Sequence, residues 1–139
     1  MRNAIWFCCL AVLLAAGSVR AGGPPPVKPE VAATDAWLAL VDAGKYGESW
    51  DTAATYFRGV VARAHWIALL EGTRKPLGRL VSREVLDRKF TKTLPGAPDG
   101  KYWIMRFDTA FDAKRVAEET VTVVAETDGA WRVAGYFVK

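Results

Sequence analysis

The C-terminal segment, from Glu118 to Lys139, alternates apolar and polar residues as the two strands of a β-hairpin do. Two such runs, 119–125 and 131–138, flank the dipeptide Asp128-Gly129, which is a common turn sequence between antiparallel strands. The pattern predicts that the domain ends in antiparallel sheet, and this restricts the fold more than any other feature of the chain. It indicates no reaction.

The loop of this hairpin could contain two residues or three. A two-residue turn would pair Val124 with Val133, whereas a three-residue loop over 127–129 pairs odd positions with odd positions. A slip of one residue moves every side chain to the other face. Only the three-residue loop places the large apolar residues of both strands on one face, so we predict this loop, with Gly129 supplying the positive φ. The predicted core face comprises Val121, Val123, Ala125, Trp131, Val133 and Phe137. The opposite face, free to meet a ligand or partner, comprises Thr120, Thr122, Arg132 and Tyr136.

The first 21 residues have the pattern of a secretory signal peptide. A positive start at Arg2 is followed by the apolar run Ile5–Ala16, which is shorter than the roughly 20 residues that a membrane-spanning helix needs. Small residues then precede a predicted cleavage site after Ala21, with Ala16 as the alternative. We therefore expect a chain that is exported, to the periplasm or outside the cell, with no transmembrane segment after cleavage. A retained N-terminal anchor is the alternative.

Removal of this segment changes the composition of the mature domain. Cys8 and Cys9, the two cysteines of the chain, both leave with it, which excludes disulfides, thiolate metal sites and cysteine nucleophiles. Arg2 and Arg20 also leave and no acid does, so the net charge falls from +4 to +2. This weak basicity gives little support to a nucleic-acid partner, and we expect none.

Residues 22–30 form a linker rich in proline and glycine, which favour an extended chain. A single domain is predicted over 31–139. Apolar residues at helical spacing predict a first helix over Val31–Ala43 and a second, longer helix from about Gly47 to Glu71.

Pro76 and Gly78 then break the helical pattern. The following segment, Leu80–Phe90, is predicted as a strand, with a helix as its competitor. The loop 94–100 leads to a strand over Lys101–Thr109, and the closing hairpin follows.

Helices followed by consecutive strands predict an α+β fold. Short loops between the strands favour a meander. We therefore expect two N-terminal helices packed on a curved four-stranded antiparallel sheet, with a cone-like shape because several strands carry large apolar residues on both faces.

Short motifs follow one another along nearly all of the mature chain. They are Trp37-Leu38-x-Leu40-Val41-Asp42-x-Gly44-x-Tyr46, Ser49-Trp50, Arg74-x-Pro76-Leu77-Gly78, Ser82-Arg83, Leu94-Pro95-Gly96-x-Pro98-Asp99-Gly100-x-Tyr102, Glu119-Thr120-Val121 and Asp128-Gly129-x-Trp131-Arg132-Val133-x-Gly135-Tyr136. In this order they resemble a small family of exported bacterial domains catalogued as a domain of unknown function, number four thousand and nineteen. The resemblance implies export and a compact α+β domain, and it implies no activity. A looser likeness, at the level of the fold alone, is to the cystatin-like and nuclear-transport-factor-like cone folds.

Candidates for catalysis are few. Asp42 and Tyr46 bracket the predicted corner between the helices, where a carboxylate and a phenol could act as acid and base on a bound carbonyl. The alternative is that they hold the corner together by hydrogen bonds. His65 is the single histidine, and with no second histidine or mature cysteine it cannot complete a zinc site. We expect neither a metal nor a cofactor, and we take His65 as a structural or surface residue.

The segment 74–92 contains seven basic residues and two acids. Such an asymmetry favours an anionic partner, such as an envelope component or an acidic protein. The alternative is an edge strand on which cations prevent unwanted pairing. The candidate binding residues are Arg74, Arg79, Arg83, Arg88, Arg132 and Tyr136.

Tryptophan placement separates core from surface candidates. Trp37, Trp50, Trp103 and Trp131 fall on apolar stripes, whereas Trp66 lies off the stripe and could line a surface groove. The sequence favours a non-enzymatic binding module of the cell envelope, with a cone-fold lyase- or isomerase-like enzyme as the alternative. An interior filled by aromatic side chains would favour the first, and an open polar pocket at Asp42 and Tyr46 the second.

Overall fold

The computed structural model describes residues 23–139, so the predicted signal peptide and its cleavage site lie outside the described residues. Within this range four helices precede four strands. The helices are α1 (Pro29–Asp42), α2 (Tyr46–Asp51), α3 (Thr55–Val60) and α4 (Arg63–Thr73). A short 3-10 helix over Lys75–Leu77 leads to β1 (Leu80–Thr91), β2 (Tyr102–Phe111), β3 (Lys114–Ala125) and β4 (Trp131–Val138).

The strands form one antiparallel sheet in the order β1-β2-β3-β4. This confirms the predicted α+β class and the meander. It also decides between strand and helix for the segment after Gly78, which is the strand β1. The sheet is open, and β1 and β4 are its two edges.

The prediction of one long second helix is wrong, because that segment divides into α2, α3 and α4. At the first break, the backbone N–H of Ala54 donates to the carbonyl of Val133 in β4, at 2.7 Å, instead of to a helical carbonyl. At the second, Val61 is extended, and its carbonyl accepts the indole N–H of Trp50 at 2.7 Å. Gly59, Val60 and Val61 are poor helix formers, so these tertiary bonds outweigh the helical periodicity.

Aromatic side chains fill the space between the helices and the sheet. The rings of Trp37 and Tyr136 lie 5.3 Å apart, and Phe57 meets Trp66 edge-on at 5.0 Å. Both indole N–H groups donate to Ser49, that of Trp37 to its carbonyl and that of Trp66 to its hydroxyl. Trp66, the candidate for a surface groove, is thus a buried core residue with a satisfied N–H.

The closing hairpin confirms the three-residue loop. The N–H of Glu126 donates to the carbonyl of Ala130 at 2.9 Å, and Gly129 has φ of 82°. Near the loop, odd positions pair with odd positions, as in Val123 with Val133.

One extra residue on β4 then changes the register. Thr122 pairs with Gly135 although Val123 pairs with Val133, so Ala134 forms a β-bulge and Val121 pairs with Tyr136. Tyr136 consequently faces the core beside Trp37, and Phe137 is 55% exposed. The prediction that Phe137 lies on the core face and Tyr136 on the opposite face is therefore wrong.

The helix layer covers only part of the sheet. Helix α1 contacts β3 and β4, and α3 contacts β4. No residue of β1 is fully buried. Val85 and Phe90 pair with the core-facing residues Phe107 and Trp103 of β2, yet they are 59% and 42% exposed. The helix-facing side of β1 is thus open.

Candidate functional site

A largely buried ionic cluster joins α1 to the sheet, and Arg83 of β1 lies at its centre. The guanidinium of Arg83 donates from Nη1 and Nη2 to the carboxylate of Asp42, at 2.8 and 2.9 Å. It also donates to Glu119, from Nε to Oε1 at 2.8 Å and from Nη2 to Oε2 at 3.1 Å. Arg83 therefore holds two carboxylates, each at two points, which is the strongest geometry for such a pair.

Glu119 is completely buried, and neutral donors complete its shell. The hydroxyl of Thr109 donates to Oε1 at 2.8 Å, and the phenol of Tyr136 donates to Oε2 at 2.6 Å. Burial first, and then the charge of Glu119, raise the pKa of Tyr136 well above its usual value. The phenol thus stays protonated and serves as a hydrogen-bond donor.

Arg74 completes the cluster from the end of α4. Its Nη2 donates to Oδ1 of Asp42 at 3.0 Å, its Nη1 donates to the carbonyl of Gly78 at 2.7 Å, and its guanidinium lies 4.2 Å from the ring centre of Phe111. Two cations and two carboxylates balance in this Arg83 cluster, which we define as Asp42, Arg74, Arg83 and Glu119. Buried charges are tolerated when they are paired in this way.

This arrangement is unfavourable for a general base at Asp42. Burial by itself raises the pKa of Asp42, but hydrogen bonds and charges from Arg83 and Arg74 outweigh it and hold the pKa below the ordinary value. Tyr46 is buried and His65 is exposed. Within residues 23–139, no hydrogen bond links the side chains of these three catalytic candidates. The contacts of Asp42 are structural, but they join α1 to β1 and to the end of α4 and do not tie the predicted corner between the helices.

Other predicted binding residues also have internal partners. Arg132 donates to Glu126 at 2.6 Å and to Asp128 at 3.0 and 2.8 Å, across the base of the hairpin loop. Arg79 is highly exposed and pairs with Asp112 at 3.1 Å. Five of the six candidates, Arg74, Arg79, Arg83, Arg132 and Tyr136, thus have intramolecular partners with which a ligand would compete.

Arg88 differs from the other candidates. Its guanidinium lies 5.8 Å from the ring centre of Trp103, and it makes no ion pair within the described part of the chain. Lys89 and Lys92 beside it have no acidic partner among residues 23–139 either. The nearest acid in the sequence, Asp87, is held by Arg106 at 2.6 Å. The second half of β1 and the residue after it therefore carry three cations that no described acid neutralises.

A groove of about 310 Å3 lies between α1 and the open side of β1. Its lining is mainly apolar, with Asp35 on the α1 wall and Arg88 on the β1 wall. The residues that line it are Val31, Asp35, Val85, Arg88, Met105 and Phe107. We call this groove, together with the exposed edge of β1 from Asp87 to Lys92, the β1 surface.

The family model described as Protein of unknown function (DUF4019) matches residues 33–136. The chain belongs to this family. The match confirms the resemblance carried by the sequence motifs. Comparisons with curated proteins and with solved structures gave no match.

The DUF4019 match includes every member of the Arg83 cluster and all of β1. Its description names no activity, so the site has to be interpreted from its own chemistry. In the part of the chain that the structure describes, no helix has the length and apolar character to cross a membrane. Nor does any group of three or more His, Cys, Asp or Glu side chains there suit a metal ion.

The basic segment predicted from the sequence contains Arg88, Lys89 and Lys92, but the groove beside them was not predicted. Nothing in the sequence indicates that Val31 and Asp35 of α1 face β1 across a groove. The available signal was the coexistence of Val85, Phe90 and several cations on one strand, which is typical of an edge that no helix covers.

Proposed function

We propose that this DUF4019 protein is an exported, non-enzymatic binding module of the bacterial cell envelope that recognises an anionic partner at the β1 surface. One observation carries the proposal: the helices do not cover β1 beyond Arg83, so that exposed apolar side chains and unpaired cations lie side by side there. Val85 and Phe90 supply the apolar contacts, and Arg88 lies on the same face of the strand.

Electrostatics support an anionic partner. Arg83 is neutralised inside the Arg83 cluster and Arg79 by Asp112, whereas Arg88, Lys89 and Lys92 retain their charges toward solvent. Clustered charges of one sign raise the association rate of oppositely charged partners and make binding sensitive to salt.

The interior supports binding over catalysis. Trp37, Trp66, Phe57 and Tyr136 fill the space between the helices and the sheet. An enzyme of the cone-fold type would need an open pocket with convergent polar groups there. The polar groups that do converge, in the Arg83 cluster, bind one another.

Export is a separate part of the proposal and rests on the sequence of residues 1–21. Mass spectrometry of the protein from a bacterial host tests it. We expect a mature chain that begins at Gly22. Recovery of the intact chain in the cytoplasm would contradict export.

Binding is tested with poly-L-glutamate as a simple anionic probe and the chain from Gly22 onward as the protein. We expect binding that weakens as salt increases and falls at least about tenfold in Arg88→Glu/Lys89→Glu. The matched control is Arg58→Glu/Lys114→Glu, which makes the same change in net charge at exposed cations away from the β1 surface. An equal loss in both variants would show that only net charge matters and would contradict a site at β1.

A further inference from the structure

We infer that the partner at the β1 surface is an acidic protein segment that adds to the sheet as a fifth, antiparallel strand beside Asp87–Lys92. This inference rests on the proposed function, because it specifies how the anionic partner would bind there. Strand addition uses main-chain hydrogen bonds for affinity and the neighbouring side chains for specificity.

The two edges of the sheet differ in their availability. On β4, the carbonyl of Val133 already accepts the N–H of Ala54, and the bulge at Ala134 distorts the strand. On β1, within the described residues, no segment pairs with the edge that faces away from β2. The open edge is therefore β1.

Only part of β1 is suited to a new partner. The pairing with β2 shifts at Val81 and again at Leu86, and such bulges protect edges from pairing. From Asp87 to Thr91 the pairing runs without interruption against Arg106 to Tyr102. This regular segment carries the unpaired Arg88 and Lys89, and Lys92 follows it.

The side chains of this segment specify the order of residues in the added strand. Arg88 and Phe90 point to the helix-facing side, because they pair with Met105 and Trp103, and Lys89 points to the opposite side. Directly opposite residues in antiparallel strands have Cβ atoms about 4.5–5.5 Å apart, so opposite charges attract and like charges repel.

The complementary segment therefore has acids opposite Arg88, Lys89 and Lys92 and an apolar residue opposite Phe90. Opposite Asp87 it needs a residue that is not acidic. Written from its N-terminus, an antiparallel strand that meets these conditions reads Glu-Thr-Val-Glu-Glu-Thr. Its valine would cover the exposed ring of Phe90 and extend the apolar lining of the groove.

A second copy of this chain fits the same edge less well. It would bring three more unpaired cations, Arg88, Lys89 and Lys92, to an interface that already holds three. The observations favour a partner of the opposite charge, and self-association becomes one of the outcomes of the test.

The experiment measures the binding of the capped, fluorescein-labelled hexapeptide Glu-Thr-Val-Glu-Glu-Thr to the chain from Gly22 onward by fluorescence anisotropy. In two further versions of the peptide every second amide nitrogen is methylated. One version is methylated at the odd-numbered positions and the other at the even-numbered positions. Since an added strand directs every second N–H toward the sheet, we expect one version to lose at least about tenfold in affinity and the other to bind like the parent. Poly-L-glutamate serves as the disordered polyanion for comparison.

A side-chain variant supplies an independent readout. We expect Phe90→Thr to weaken hexapeptide binding while leaving poly-L-glutamate binding unchanged. Leu69→Thr on α4, a residue with 43% exposure against 42% for Phe90, is the matched control and should change neither.

The outcomes separate the inference from the proposed function. If both N-methylated versions bind like the parent, strand addition is overturned and anion binding at β1 stands. If neither the hexapeptide nor poly-L-glutamate binds, both ideas fail. Preferred binding to phosphatidylglycerol vesicles, or dimerisation of the free chain that depends on β1 in sedimentation experiments, would also overturn the inference.

Discussion

Arg83 of β1 and Glu119 of β3 form a two-point ion pair, with Nε 2.8 Å from Oε1 and Nη2 3.1 Å from Oε2, although β2 lies between their strands. The pair passes over Thr109 of β2, whose hydroxyl donates to the same carboxylate. The same guanidinium holds Asp42 of α1. One side chain thus connects the open edge strand to both the sheet and the helix layer.

The Arg83–Glu119 pair should be strongly coupled. Arg83→Met leaves the buried carboxylate of Glu119 without a cation, and we expect it to lose about 3–5 kcal/mol of unfolding free energy. Glu119→Leu should lose less, because Arg83 keeps its pair with Asp42. The double variant should lose clearly less unfolding free energy than the sum of the two single losses, because neither charge of the pair is left in the protein. Urea denaturation measures all three. Arg79→Met, which removes the exposed pair with Asp112, is the control and should cost about 1 kcal/mol or less. Additive losses would contradict the coupling.

The bulge at Ala134 predicts opposite effects at two adjacent residues. Tyr136→Ala should destabilise the protein by about 3–5 kcal/mol, because it removes a core ring and a hydrogen bond to Glu119. Phe137→Ala should cost less than about 1 kcal/mol, since that ring is largely in solvent. Thermal or urea unfolding compares them directly. A larger loss at Phe137 would mean that β4 keeps the unbulged register.

The depressed pKa of Asp42 predicts a loss of stability in acid. Burial raises this pKa, and Arg83 and Arg74 lower it by more, so the folded value lies below the unfolded value. The stabilisation is therefore complete above the unfolded pKa of about 4 and disappears as pH falls through the folded pKa. Asp42→Asn should be less stable at neutral pH and show a shallower decline in acid.

A second carboxylate provides the control for this pH dependence. Arg132 and the N–H of Ala130 lower the pKa of Asp128 to about 2, but Asp128 is exposed. Salt should screen the contribution of Asp128 and leave that of Asp42 largely intact. Denaturation curves at several pH values in low and high salt compare Asp42→Asn with Asp128→Asn. Identical curves for Asp42→Asn and the parent chain would contradict the assignment.

Gly78 links the Arg83 cluster to the turn before β1. Its φ of 79° and ψ of −158° lie in a region that almost only glycine adopts, and an added Cβ would approach Cβ of Asp112 to 3.1 Å. We expect Gly78→Ala to cost about 1–3 kcal/mol. Gly72→Ala, in the last turn of α4 with no neighbour within 4 Å of an added Cβ, should instead stabilise the protein by about 0.5–1 kcal/mol. Equal effects of the two substitutions in urea unfolding would be inconsistent with this geometry.

Local patterns predicted the regular parts of the fold. The alternation of apolar and polar residues, together with Asp128-Gly129, correctly predicted the closing hairpin and its three-residue loop. Helical spacing of apolar residues correctly predicted α1. The failures have tertiary causes. The bulge at Ala134 follows from packing Tyr136 against Trp37, and the division of the second helix follows from hydrogen bonds to Val133 and from Trp50.

The candidate site was harder to predict for the same reason. The sequence identified the basic segment, but nothing local distinguishes Arg83, which is held by Asp42 and Glu119, from Arg88, which has no acidic partner among residues 23–139. Glu119 and Asp42 lie 36 and 41 residues from Arg83 in sequence. Which cations are available for binding is therefore a property of the folded chain.

The most direct test of an anion-binding β1 surface is a titration of the 15N-labelled chain, from Gly22 onward, with the hexapeptide Glu-Thr-Val-Glu-Glu-Thr, followed by amide chemical shifts. The account predicts that the largest changes fall on residues 85–92 of β1, with smaller ones at Val31 and Asp35 across the groove. Changes centred on the hairpin loop around Arg132, or spread evenly over all exposed cations, would contradict it.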